Sequence, residues 1–137
     1  MGYYMHVEES SFEIKKENVG AALAAIKAIP DKKSGFPEFS WVNRTFRAAT
    51  SLQEAMSEWR WPIALDKDGN VTEIEFSGEK FGDDELLFLA IAPHVTSLSY
   101  IMMRGEDDHG WQWLFRDGKL YECEALRTFG PPKEVTR

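Results

Sequence analysis

Residues 98–126 read LSYIMMRGEDDHGWQWLFRDGKLYECEAL, and this stretch decides the fold. Apolar and polar residues alternate through Leu98–Arg104, Trp111–Arg116 and Lys119–Leu126, and a period of two marks strands. Gly105–Gly110 separates the first two, and Asp117-Gly118, a tight hairpin signal, separates the last two. The prediction is a three-strand antiparallel meander. Trp111, Trp113 and Phe115 share one face, as do Tyr121, Cys123 and Ala125, which places Cys123 in or beside the core.

Moving toward the N-terminus, Leu86–Ala92 is apolar all round, with Asp83 placed to cap it, acids Asp84 and Glu85 in its first turn, and Pro93 ending it. Such a helix is expected to be buried on more than one side, within the monomer or in a symmetric dimer. Ile63–Leu65 and Val71–Phe76 flank Asp66-Lys67-Asp68-Gly69-Asn70 and predict a hairpin. Thr72, Ile74 and Phe76 would face one side and Glu73 and Glu75 the other. Ser51 and Glu54 form a capping box for a short helix ending before Pro62. Residues 31–50 mix turn formers with Phe36, Phe39, Trp41, Val42 and Phe46, as a flap pinned by its rings or a short helical turn. A helix is expected from Glu17 to Ile29, stopped by Pro30, and a strand at Tyr3–Val7.

The order strand, helix, helix, hairpin, helix, meander is α+β: a largely antiparallel sheet with about three helices packed on one face and the other face partly wet. At 137 residues, 43% hydrophobic, the chain is large enough to bury one core. Residues 1–127 are read as a single domain and 128–137, with Pro131 and Pro132, as a flexible tail. A lone cysteine excludes an intrachain disulfide and points to a reducing, cytoplasmic setting. The longest apolar run is too short to span a bilayer, so no membrane partner is expected.

Charge is uneven. The net is −7; residues 61–124 hold fourteen acids and five bases, while 125–137 hold one acid and three bases. The excess of acids disfavours direct nucleic-acid binding. It also suggests an acidic surface that imitates a nucleic-acid backbone, which requires Glu73, Glu75, Asp83, Asp84, Glu106, Asp107 and Asp108 to line one side.

Catalytic patterns are weak. Glu106-Asp107-Asp108-His109 offers oxygen and nitrogen donors that His6 or His94 could complete into the metal site of a small hydrolase, or the four simply form a hairpin tip. The Asp66–Asn70 loop fails as a calcium loop because position twelve is Ser77 rather than glutamate. No nucleophile elbow, phosphate loop or dinucleotide fingerprint is present. Gly78–Gly82 reads as a plain strand-to-helix connection. No cofactor is called for. Phe36, Phe39, Trp41 and Phe46 with Arg44 and Arg47 have the composition of interface hot spots, or else cover an open end of the core.

Gly2-Tyr3-Tyr4-Met5, Gly78–Glu85, Ile91-Ala92-Pro93-His94-Val95 and Gly105-Glu106-Asp107 leading to Trp111-Gln112-Trp113 resemble a group of small proteins of bacteria, bacteriophages and prophages. The resemblance runs from Gly2 to Glu122 and brings no activity or catalytic residue with it. It implies an accessory protein that binds and modulates a host protein, host-defence inhibitors included. The expectation is therefore a non-enzymatic protein-binding module using Phe39, Trp41, Arg44, Phe46, Asp83, Asp84, Glu106, Asp107 and Asp108. The alternatives are the metal-assisted hydrolase and a small-molecule sensor.

Overall fold

The computed structural model describes residues 2–31 and 39–136; Phe36 of the aromatic segment lies outside them. The fold is α+β. Strand β1 (Met5–Ser11) is followed by α1 (Lys16–Lys27), a 3₁₀ turn (Arg44–Ala48) and α2 (Leu52–Glu58). Next come β2 (Ile63–Leu65), β3 (Val71–Ile74) and α3 (Asp84–Ile91), which runs into a 3₁₀ turn (Ala92–His94). The chain then forms β4 (Ser99–Gly105), β5 (Gly110–Arg116) and β6 (Lys119–Glu124).

The meander forms as its alternation dictates, and β1 adds antiparallel to β4, giving the order β1-β4-β5-β6. Ile101 faces Trp113 and Met103 faces Trp111 across β4 and β5, so one face of the sheet is a continuous apolar surface. Phe88 of α3 covers it, with ring centroids 4.9 Å from Trp113 and 5.8 Å from Phe115. Helix α1 packs against α2 and α3.

Four expectations need correction. The predicted hairpin does form, but β2 and β3 make a separate two-stranded sheet. It is tied to the rest by reciprocal backbone bonds between Ile14 and Val71, at 3.1 and 2.8 Å. Within it the inward residues are Val71 and Ile74, not Thr72 and Ile74. A register shift leaves Thr72 unpaired opposite the Ala64–Leu65 step, and one extra residue moves the side chains beyond it to the other face.

Cys123 is the third correction. The Asp117-Gly118 turn pairs Phe115 with Leu120 and Gln112 with Cys123, which sends Tyr121 and Cys123 to the face opposite the Trp113 side. The fourth is α3. Leu87, Phe88 and Ile91 are buried, yet Leu86 and Leu89 remain 37% and 56% exposed, so this helix has one buried face.

Local signals hold elsewhere. Ser51 Oγ accepts the Glu54 N–H at 3.1 Å, the capping contact expected of that pair. Asp66 Oδ1 accepts the N–H groups of Asp68 and Asn70, closing the hairpin turn. Asn70 Oδ1 in turn accepts the Lys16 N–H at 2.8 Å, so the hairpin supplies the cap that Lys15 cannot give α1. Residues 125–136 follow β6 without regular structure and are exposed. Among the described residues no helix is long and apolar enough to cross a membrane.

Candidate recognition surface

The surface is built on Arg60. Helix α2 ends at Glu58, and the chain reverses through Arg60 at φ 71°, a left-handed conformation that turns its side chain back across the molecule. The guanidinium donates from Nη1 to the Lys80 carbonyl at 2.8 Å and from Nη2 to both oxygens of Asp84 at 2.9 and 3.1 Å. Asp84 also accepts the Trp61 indole N–H at 2.8 Å and the Gly82 N–H at 2.9 Å. Every acceptor role of this carboxylate is used inside the protein. The pair is buried, with side-chain exposures of 11% and 1%.

Two rings bracket the guanidinium. Its Cζ lies 4.9 Å from the Trp41 ring centre and 5.0 Å from that of Phe76. The glycines of the 78–82 connection permit this approach: a Cβ at Gly78 would lie 2.8 Å from Arg60 Nη1, and one at Gly82 would lie 3.0 Å from Trp41 Cε3. Trp41 itself adopts φ 60°. It is held against Arg60 on one side and is 54% exposed overall.

The connection continues toward the N-terminus. Phe81 N–H donates to the Tyr3 carbonyl at 2.7 Å and Met5 N–H to the Glu79 carbonyl at 2.9 Å, so residues 79–81 run beside residues 3–5 as a short ladder. Lys80 Nζ lies 5.0 Å above the Tyr4 ring, which is 48% exposed. The Tyr4 backbone meets both the side chain and the backbone of Glu106: its N–H donates to Glu106 Oε1 at 3.0 Å, and its carbonyl accepts the Glu106 N–H at 2.9 Å. The Tyr3 hydroxyl donates to Asp107 Oδ1, which also accepts the His109 N–H at 3.1 Å. Burial, together with the bond to Asp107, pushes the Tyr3 hydroxyl up to about 12. The same bond, with the His109 N–H, holds the Asp107 carboxyl below its ordinary range.

Two shallow depressions lie along this strip. One, about 190 Å³, is lined by Trp41, Arg60 and Lys80, and the other, about 310 Å³, by Tyr4, His6 and Glu106; Gly78 and Glu79 line both. Trp41, Lys80, Tyr4 and Glu106 thus belong to one continuous surface. Phe81 adjoins it, 36% exposed, with its inner side against Trp111 and Trp113.

Of the residues singled out in the sequence, Trp41 and Glu106 line this strip, and Asp107 adjoins it through its bond to Tyr3. Phe39 and Phe46 do not: at 5% and 1% exposure they pack on Trp59, with ring centroids 5.0 and 5.3 Å from it, and close an end of the core. Arg44 is exposed at the start of its 3₁₀ turn. Asp83 Oδ2 accepts the Ser40 N–H at 2.7 Å, and no side-chain cap bond is formed at the helix start. Asp84 is the buried partner of Arg60 and is lost to any surface. Asp108 pairs with Arg104 at 3.0 Å and Arg127 at 3.6 Å. Of the seven acids expected of a nucleic-acid mimic, Asp84 is thus in the core, Asp83, Glu106 and Asp107 are engaged in hydrogen bonds and Asp108 in ion pairs, while Glu73 and Glu75 stay exposed at the β2–β3 hairpin.

The 106–109 turn does not converge on a point. Its carboxylates are aimed at Tyr3, Tyr4, Arg104 and Arg127, while His109 stacks on Trp111 at 5.7 Å and 20°. Among the described residues no three His, Cys, Asp or Glu side chains are grouped to hold a metal ion. Arg60, Lys80 and Tyr4 carried no sequence signal of their own. The paired glycines at 78 and 82 were the readable trace, since such spacing marks backbone approached closely by other groups. No family model, curated protein or solved structure matches this chain.

Proposed function

We propose that the protein works without catalysis, as a binding module that recognises a protein partner through the Trp41–Lys80–Tyr4 surface. The observation that carries this reading is the presentation of Trp41. A large ring stands about half exposed, yet its backbone is left-handed and its inner face rests on a guanidinium that three hydrogen bonds and a second ring hold in place. An aromatic fixed before binding loses little entropy on contact, and Trp, Tyr and Arg dominate hot spots for that reason. Lys80, Glu79 and Glu106 supply a charged rim.

The buried ion pair fits this role better than a purely stabilising one. Arg60 Nε finds no partner among the described residues, and a buried unsatisfied donor costs free energy. Orientation of the loop and of Trp41 is what the arrangement provides. The resemblance to small phage and prophage proteins supports a host protein as partner and the cytoplasm as the place of action.

Affinity capture with the intact protein tests the reading, comparing Trp41→Ala and Tyr4→Ala with a distant control, Val135→Ala, at a side chain that is 95% exposed. The expected result is that a partner recovered by the wild type falls about tenfold or more with both surface variants, persists with the control, and that circular dichroism is unchanged throughout. Equal recovery by all four proteins overturns it.

A further inference from the structure

A second surface is independent of the Trp41 strip. Strand β6 is the edge of its sheet, and nothing among the described residues pairs with its outer side. Beside it runs α3. Glu85 and Leu89, one turn apart on α3, and Pro93 in the 3₁₀ turn that follows recur every four residues along the side toward β6. The two ends of that row are fixed by contact. Glu85 Oε2 accepts the Trp113 indole N–H at 2.9 Å, and Glu122 lies directly opposite Trp113 on β6. At the other end, the Pro93 Cα is 3.7 Å from where a Cβ on Gly118 would lie. Between them Leu89 is 56% exposed, and the half-buried Leu120 lies on β6 between Gly118 and Glu122. The trough is thus apolar in its middle and at the Pro93 end, and acidic at the other, where Glu124 adds a third carboxylate. Crowding there has a protonic consequence: the hydrogen bond with Glu85, then burial and the charges of Glu85 and Glu124, hold the Glu122 carboxyl above its ordinary range.

The chain carries a segment of the complementary kind. Residues 125–136 leave β6 and stay exposed, with Leu126 at 88%, Phe129 at 87% and Val135 at 95%. Residues 125–137 bear three bases and one acid, against the acid excess of the body. Among the described residues Arg127 is tethered by a 3.6 Å contact to Asp108 in which both side chains are about 70% exposed, a contact of little energetic weight. Pro131 and Pro132 lack an N–H, which limits any strand-like pairing to the residues before them.

We infer that residues 126–129 of one copy dock in the α3–β6 trough of a second copy, with Phe129 against Leu89, Leu120 and Pro93 and Arg127, on the same face of the extended segment, against Glu85 and Glu122. The free edge of β6 offers its unpaired backbone groups to the incoming segment. Reciprocal exchange gives a two-fold dimer in which each copy covers the apolar row of the other and offsets its crowded carboxylates.

Sedimentation of the full chain over a concentration series tests this, using Phe129→Asp on the segment, Leu89→Asp on the trough, and Arg127→Glu alone or combined with Glu122→Arg. The wild type is expected to dimerise. Each apolar variant should weaken the dimer about tenfold or more, and the combined charge exchange should recover what Arg127→Glu loses, with unchanged circular dichroism. A wild type that stays monomeric at every concentration overturns the inference, as does a dimer insensitive to either apolar variant. Both sites lie away from Trp41, so failure here leaves the recognition surface untouched.

Discussion

Two arginines in this molecule meet carboxylates in opposite settings. Arg60 and Asp84 are 11% and 1% exposed, enclosed by Trp61, Phe76 and Trp41. Arg104 on β4 and Glu8 at the irregularity of β1 are 31% and 34% exposed, and Arg104 also reaches Asp108 at the turn. The chemistry is the same, yet the first pair fixes backbone and the second decorates it. Removal of one partner in the core leaves an uncompensated charge, whereas water replaces the lost partner at the surface.

The largest effect expected is therefore from Asp84→Ala, which should cost roughly 3–5 kcal/mol in denaturant unfolding because it strands the guanidinium, the Trp61 indole N–H and the Gly82 N–H together. Replacing both partners, as Arg60→Met with Asp84→Leu, should cost less than the single change. A single variant with near wild-type stability would remove the distinction between the two pairs.

Arg104→Ala is expected to shift the melting temperature little, and added salt should erase most of the shift. The pH dependence sharpens the point. Arg104, through its hydrogen bond, holds Glu8 below the ordinary carboxylate range, so the pair's contribution is present above that range and is lost as pH falls through the lowered value. A melting curve series from neutral to acid pH should show wild type and Arg104→Ala converging at the acid end.

Smallest, and opposite in sign, is Glu122→Gln. A carboxyl raised in the folded state stabilises below its ordinary range and loses that contribution as pH rises through the raised value. Glutamine should therefore raise the melting temperature slightly at neutral pH and leave it unchanged at low pH, with solvent screening keeping the difference small.

What the sequence made legible follows from how local each signal is. The meander, the Ser51 capping box and the Asp66–Asn70 turn depend on residues a few positions apart, and all three form. Cys123 and Thr72 went astray because a face is set by pairing register, and a turn or a single bulge changes it without altering composition. The site was harder still. Trp41 and Phe46 look alike in the sequence, but one is about half exposed and the other is buried against Trp59, a choice made by Arg60 and Trp59 from another part of the chain. Glu106 and Asp107 join Trp41 only through the 78–81 connection, whose bonds to Tyr3 and Met5 span more than seventy residues.

The stacking of Trp41 on Arg60 has an optical consequence. The chain has five tryptophans, and the other four are at most 7% exposed. A collisional quencher in water will therefore act chiefly on Trp41, while the remaining indoles emit from a shielded interior. Occupancy of this face can be followed by intrinsic fluorescence in the unlabelled protein, because a bound partner would shield the one indole that the quencher readily reaches.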